Sequence, residues 1–547
     1  MKAGTKYFIP LVLIVLLGIY LTSALGYSDL TADKRYTLSQ AALRVLYRVD
    51  STMEVRVYLK GEFPASFRKL AEETRRLLER FRDRNPDLHF EFINPAKEGI
   101  IDRLEKQGMI PAHITVRRNN RLEQIEIFPW AEIRYRGKTE HVPLMVSVPG
   151  AEVEEQVNRS IENLEYAFAS AIYRLGLDQK PAIAVLKGHD EWDDAHIAGL
   201  LMLLRPYYRL APFTLDSLKT NPQRTLEQLR QFDMVLIAGP RKAFSDTAKY
   251  ALDQFLLHGG KMLLAVDPVH AYKDTLMTRG KTYALNAELN LTDWLFAYGI
   301  RLNPVLVKDL VAAPVVLKTG EVAGNPQLEP FPWYYSPLAQ PNARHPIGKN
   351  MGKVKLDFAS DIDTLKHNPL HKTVILHSSP YTQTVGVPVQ INFSEIGTEP
   401  DRQRYNGGIK IFGILVEGKF RSAYADRTKP FDYDFRENGP SKIAVFADGD
   451  ILRNDLQKGR PLPLGFDKWS RTQYANGDFM LNTVFYLTDN YGLFALRNKE
   501  IHIPLLDKNK VVARGKFWAA VMLAFPALLW LVAGLLYGWW RRKKYAR

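Results

Sequence analysis

The stretch Met234–Pro268, MVLIAGPRKAFSDTAKYALDQFLLHGGKMLLAVDP, decides the fold. Met234–Ala238 is a short apolar run closed by Gly239-Pro240, which predicts a strand buried on both faces. Ser245 stands where a cap belongs for a helix over Asp246–His258, and Gly259-Gly260 stops that helix. Lys261–Val266 returns as a second apolar strand, ending at Asp267-Pro268. Upstream, past Gln179-Lys180-Pro181, the strand Ala182–Leu186 leads through the polar turn Gly188–Asp194 into a helix over Ala195–Leu204. Apolar strands alternating with capped helices predict a parallel, doubly wound α/β sheet. Such sheets bind ligands beyond the carboxyl ends of their strands, where these polar turns fall.

Working outward, strands at Thr373–Leu376, Ile409–Val416 and Ile443–Phe446 complete the sheet, the last running into Ala447-Asp448-Gly449-Asp450. A helix is expected near Asp478–Leu487. Between them, from about Arg301 to Asp401, the chain reads as a proline-rich, irregular insertion centred on Pro330–Pro337 (PFPWYYSP). Toward the amino end a different unit precedes the sheet. Thr37 and Gln40 have capping-box spacing for a short helix. Strands are expected at Met53–Leu59, Leu88–Ile93, Ile114–Arg117, Gln124–Phe128 and Ala131–Tyr135, with helices at Ala65–Arg84, Gly99–Gln107 and Glu152–Leu175. That order resembles a thioredoxin-like layer sandwich.

Composition limits the functions open to the chain. Its 547 residues are 46% apolar and 24% charged, which excludes a wholly disordered chain. The formal charge is +15, but seven of the surplus cations are Lys2, Lys6, Arg541, Arg542, Lys543, Lys544 and Arg547. The remaining mild surplus forms no single basic run, so the charge does not mark a nucleic-acid binder. Cys is absent, which removes thiol nucleophiles, thiolate metal sites and the redox chemistry of a thioredoxin.

The terminal cations flank apolar runs. Tyr7–Leu25 and Phe517–Trp540 carry no charge and are each long enough to span a hydrocarbon core of about 30 Å. Basic flanks predict both ends on the cytoplasmic side of the membrane and everything between them outside. The organisation expected is a first span in residues 1–26, a first α/β domain in 27–178, a second in 179–506, and the second span with its basic tail in 507–547. Gly18 and Thr22 lie four apart, as do Gly534 and Gly538, and such faces admit a close neighbouring helix in lipid.

Motifs for autonomous catalysis are missing. The nearest string to a Walker A loop, Gly348-Lys349-Asn350-Met351-Gly352-Lys353-Val354, is one residue short and lacks the hydroxyl, so any ATP hydrolysis is expected to belong to another chain. No cofactor is implied. His189, Asp190, Glu191, Asp193, Asp194 and His196 crowd one strand-to-helix turn and Asp448 and Asp450 another. Carboxylates and imidazoles so placed could hold an ion, or could cap helices and close turns. Trp333-Tyr334-Tyr335 could stack sugar rings, pack on the sheet, or meet a partner subunit.

Long strings resemble one family. DLTADKRYTLSQAA, IEIFPWAEI, NRSIENLEYAF, VLKGHDEWDD, NLTDWLFAYGIRLNP, PFPWYYSPL and ADGDILRND are similar to those of the gliding-motility family GldG, over nearly the whole chain from Asp29 to the second span. The resemblance implies an auxiliary, substrate-binding-like component of an ABC-type transporter, with two anchors, a periplasmic body, a GldF-like polytopic permease and a GldA-like ATPase as partners. It also implies an amidotransferase-like layer beginning at Ala182. The amidotransferase nucleophile would be Cys, so no catalytic residue is carried over. A periplasmic hydrolase of envelope polymer, or a glycan-binding module, is the alternative reading.

Overall fold

The computed structural model describes residues 37–118, 121–146, 151–322, 324–366, 368–397, 399–498 and 508–545. The body of the chain, 36–499, is one compact unit, and the carboxy-terminal helix belongs to a second.

The body opens with α1 (Gln40–Leu46), capped by Ser39, whose hydroxyl accepts from Ala42 N at 3.0 Å. The cap is therefore Ser39, two residues beyond the expected Thr37. Then come β1 (Met53–Val57), α2 (Ala65–Arg84), β2 (Leu88–Phe92), α3 (Ile101–Lys106), the hairpin β3 (Ala112–Arg118) and β4 (Arg121–Ile127), β5 (Trp130–Tyr135), β6 (Lys138–Pro143) and α4 (Val153–Leu175). The four-stranded sheet runs β2-β1-β5-β6, with β1 parallel to β2 and antiparallel to β5. On α2, Phe67, Leu70, Thr74, Leu77, Leu78 and Phe81 recur at helical spacing and are buried, while the charged residues face outward. α4 is buried on more than one side, since Tyr166 also packs edge-on against Phe494, 5.4 Å away, at the far end of the body.

The large sheet follows. Its parallel half consists of β7 (Ala182–Lys187), β8 (Arg209–Thr214), β9 (Met234–Ala238) and β10 (Lys261–Ala265), wound with α5 (Asp194–Leu204), α6 (Pro222–Leu229) and α7 (Asp246–Leu257). After α8 (Lys273–Arg279) and α9 (Thr292–Ala297) come β11 (Ala312–Val322), β12 (Asn325–Pro341), β13 (His371–His377), β14 (Ile411–Arg421) and β15 (Asn438–Phe446), then α10 (Asn476–Thr488). The path of this ten-stranded sheet is β11-β12-β13-β14-β15-β10-β9-β7-β8, with the short strand Val354–Lys355 pairing β12 off it.

Every residue of β9 is buried, and alternation divides them between two cores. Val235 and Ile237 face Leu252, Phe255 and Leu256 of α7, whereas Met234, Leu236 and Ala238 face Ile197 and Leu200 of α5 and Phe479, Met480 and Val484 of α10.

Two expectations need correction. The parallel arrangement covers β8, β7, β9, β10 and β15, but β14 and β13 run antiparallel beyond it. No helix connects β14 to β15, and a parallel pair requires such a crossover. The segment from about Arg301 to Asp401, expected to be irregular, contains the long hairpin β11–β12. Pro330 and Pro332 lie two apart, so their missing N–H groups fall on the same edge of β12 and leave the other edge free to pair.

The second unit contains α11 (Lys508–Tyr545), whose stretch Phe517–Lys544 includes an 18-residue window of mean hydropathy 2.3, none of it buried, and is long and apolar enough to cross a membrane. The first expected span, with Gly18 and Thr22, lies outside the described residues.

Candidate functional site: a charged crevice at the carboxyl edge of the sheet

Turns leaving neighbouring strands are laced to one another along the carboxyl edge. Trp192 N, in the turn after β7, donates to Ala238 O at the end of β9 (3.0 Å), and Arg241 N and Lys242 N donate back to His189 O (2.8 and 2.9 Å). Gly239 N donates to Ala265 O of β10, and Val266 N to Phe446 O of β15. Gly239 has φ +59°, and a Cβ there would lie 2.6 Å from Trp192 Nε1, so glycine lets the indole lie against the strand end.

Three carboxylates meet on this edge. Asp267 Oδ1 accepts from Gly449 N at 2.6 Å. Asp448, fully buried, accepts from Asp450 N (2.7 Å) and Ile451 N (3.2 Å) with one oxygen and from Asp357 N (2.9 Å) with the other. Asp450 Oδ1 is buried without a hydrogen-bond partner, 3.7 Å from Arg453 Nη1. Burial, and then the neighbouring negative charge, pushes Asp267 up to about 7 and Asp448 well above the usual carboxylate range. Burial likewise raises Asp450, to about 6, against the pull of Arg453. The trio therefore holds protons at a pH where isolated carboxylates have lost theirs.

Cations stand opposite. Lys273 Nζ donates to Asp357 at 2.8 Å, and Lys355 Nζ to Asp467 at 2.5 Å. Burial opposes ionisation of Asp357, but Lys273 and Lys355 outweigh it and hold this acid below its usual range. Asp467 is likewise held low, by Lys355 against its own burial. The guanidinium groups of Arg241 and Arg453 lie 3.9 and 4.5 Å from the centre of the Trp192 ring. A cavity of about 70 Å³ opens between Lys273, Lys355, Asp357, Asp450, Arg453 and Asp467. A smaller one of about 30 Å³ lies between Trp192, Arg241, Asp267, His270 and Asp450. The crevice is thus nearly charge-balanced, and most of its acids already serve a backbone turn or a cation.

The acidic turn after β7 divides among roles. Asp193 caps α5, accepting from His196 N at 2.9 Å and meeting the His196 ring at 2.8 Å. Glu191 is buried, accepts from His189 N at 2.8 Å, and lies 3.5 Å from the His189 ring, which stacks on Phe244. Asp190 is exposed at φ +57°. Among the described residues no three His, Asp or Glu are grouped as ligands of one metal ion would be. Trp333 and Tyr335 are buried, packed on Phe393 and Phe358, while Tyr334 points the other way against Tyr405. Gly534 and Gly538 lie on α11, and among the described residues nothing comes within 4 Å of where a Cβ would stand. Asp448 and Asp450 are legible in the sequence as an acidic turn, whereas Asp357, Lys273, Lys355, Arg241 and Arg453 carry no local signal that joins them to it. Asp267 has a local signal of its own, Asp267-Pro268 at a strand end.

The body is thus an α/β fold with its polar turns gathered on one sheet edge, and α11 is an apolar helix of membrane-spanning length. Residues 180–483, more than half the chain, match the family described as ABC-type uncharacterized transport system, and the chain belongs to this family of transport auxiliary components. Residues 32–134 match a domain of unknown function. An uncharacterized protein of Borreliella burgdorferi is 23% identical over 522 residues, covering 93% of this chain and 92% of its own length. Among solved structures, the N-terminal domain of mmIFT52 aligns with 59% of this chain and all of its own at 15% identity, TM-score 0.33. A cytoplasmic protein of Salmonella typhimurium aligns with 56% of this chain and 98% of its own at 11% identity, TM-score 0.26.

Proposed function

We propose that this chain is the non-catalytic auxiliary subunit of an inner-membrane ABC-type transporter, anchored by a span at each end, with both termini cytoplasmic and the body periplasmic. The membership of residues 180–483 in a transport-system family carries this reading. The apolar α11 with Arg541, Arg542, Lys543 and Lys544 at its end supports the anchor and its orientation. A GldF-like permease and a GldA-like ATPase would supply the channel and the hydrolysis, and gliding motility is the setting that the sequence resemblance favours. The β2-β1-β5-β6 order, with one parallel βαβ unit and an antiparallel pair, supports reading the first layer as thioredoxin-like. In calorimetry the purified chain alone should take up no ATP; stoichiometric nucleotide binding would overturn the reading.

One observation favours a second reading. Asp450 presents an unpartnered carboxylate oxygen to the crevice beside Asp267, and raised proton affinity in a cleft is what a general acid requires. A periplasmic hydrolase of envelope polymer would use that pair. Asp450→Asn should then abolish polymer cleavage that the wild-type chain performs; if the wild type cleaves none, the hydrolase reading fails.

A further inference from the structure

Helix α5 (DAHIAGLLMLL) is apolar around nearly its whole circumference. Such a helix is ordinarily buried on all sides. Here Ile197, Gly199, Leu200 and Leu204 are buried, and Gly199 lies so close to the 462–464 backbone that a Cβ would stand 2.8 Å from Leu464 N. Ala198, Leu201, Met202 and Arg205, at i, i+3, i+4 and i+7, form another stripe, half-buried at Ala198 and Leu201 and exposed at Met202 and Arg205. Met202 is 62% exposed. The stripe makes one wall of an open groove of about 860 Å³ whose other wall is Tyr208, Arg209 and Leu210 at the start of β8, the edge strand of the large sheet.

The rim of this groove has one sign. Lys180, Arg205 and Arg209 border it, and among the described residues lining it none is acidic. An apolar floor with an all-cationic rim fits an amphipathic segment whose polar flanks carry Asp or Glu. Lipid headgroups would satisfy the cations but would not require a groove shaped by a single helix face. Pro212 within β8 removes one backbone donor from the strand edge, so side-chain packing along α5, rather than strand addition, is the contact this surface supports.

We propose that α5 and the start of β8 form the docking groove for an acidic, amphipathic helix of the transporter's permease subunit. This rests on the auxiliary-subunit reading above. The test uses the full chain co-expressed with the permease and purified in mild detergent. A photo-crosslinking residue at Met202 should join the chain to the permease, while one at the exposed Tyr381, remote in sequence, should not. Met202→Asp and the charge reversal Arg205→Glu/Arg209→Glu should each lower permease recovery by about tenfold or more, with the melting temperature unchanged because these side chains are exposed. Wild-type recovery unaffected by both variants, or crosslinks from Met202 only to lipid or to a second copy of the chain, would overturn the groove while leaving the auxiliary reading intact. Failure of the wild-type chain to recover the permease at all would overturn both.

Discussion

The N–H of Gly449 donates to the carboxylate of Asp267 at 2.6 Å, so the turn ending β15 is fastened to the turn ending β10. The approach is close enough to exclude any side chain. A Cβ on Gly449 would lie 2.5 Å from Asp267 Oδ2 and 2.8 Å from Gly239 Cα. Gly449→Ala should therefore force the edge apart and cost about 1–3 kcal/mol, the range for overpacking a filled site. Chemical denaturation of the purified chain measures it, and an unchanged midpoint would show that the turn relaxes freely.

The acids of this edge set a pH dependence whose sign follows from burial. Asp267 and Asp450 bind their protons more tightly in the folded chain, near 7 and 6, than at the ordinary value of 3.8. The stability they contribute is present in full below about pH 4 and is lost as pH rises through 6 to 7. Asp357 and Asp467, held low by lysines, act oppositely, losing their contribution as pH falls below the ordinary carboxylate range. Asp267→Asn keeps an acceptor for Gly449 but no longer titrates. It should flatten the fall in stability between pH 5 and 8 by about 1–3 kcal/mol, read from denaturation midpoints across that range.

Lys355 serves two acids, 2.5 Å from Asp467 and 3.8 Å from Asp357, in a site where its side chain is 11% exposed. Lys355→Met leaves Asp467 buried without its cation and should cost about 3–5 kcal/mol. The double variant Lys355→Met/Asp467→Asn keeps the bonds that Trp469 N and Ser470 N donate to residue 467 and should recover part of the loss. A double-mutant cycle measures the coupling, and simple additivity of the two changes would deny it.

How much of this could be read from sequence depended on the range of the interaction. β9 and α7 were legible because apolar runs, a Ser cap and a Gly-Gly stop are all local signals. Asp193 as the cap of α5 was legible for the same reason. The charged crevice was not, because Asp448 meets Asp357 N from 91 residues away and Lys355 meets Asp467 across 112. The β11–β12 hairpin was hidden because prolines count against strands unless their edge is known, and without that strand the alternation that buries Trp333 and Tyr335 on one side and turns Tyr334 to the other was not legible.

The glycines of α11 make a separate prediction. Among the described residues nothing lies within 4 Å of a Cβ built on Gly534 or Gly538, so a bulky residue there should leave the body folded. Gly534→Leu or Gly538→Leu should weaken recovery of the permease in mild detergent, while Leu535→Ile, on another face, should not. Full recovery with both glycine variants would make α11 an anchor only and leave the surface of the body to carry the association.

The auxiliary-subunit reading is tested most directly by co-purification from the native membrane. The tagged full-length chain, extracted in mild detergent, should bring down a polytopic permease and a separate ATPase in fixed ratio, with ATP hydrolysis in the complex and none in the chain alone. Recovery of the intact chain without either partner, or ATPase activity that stays with the chain after the partners are removed, would contradict the account.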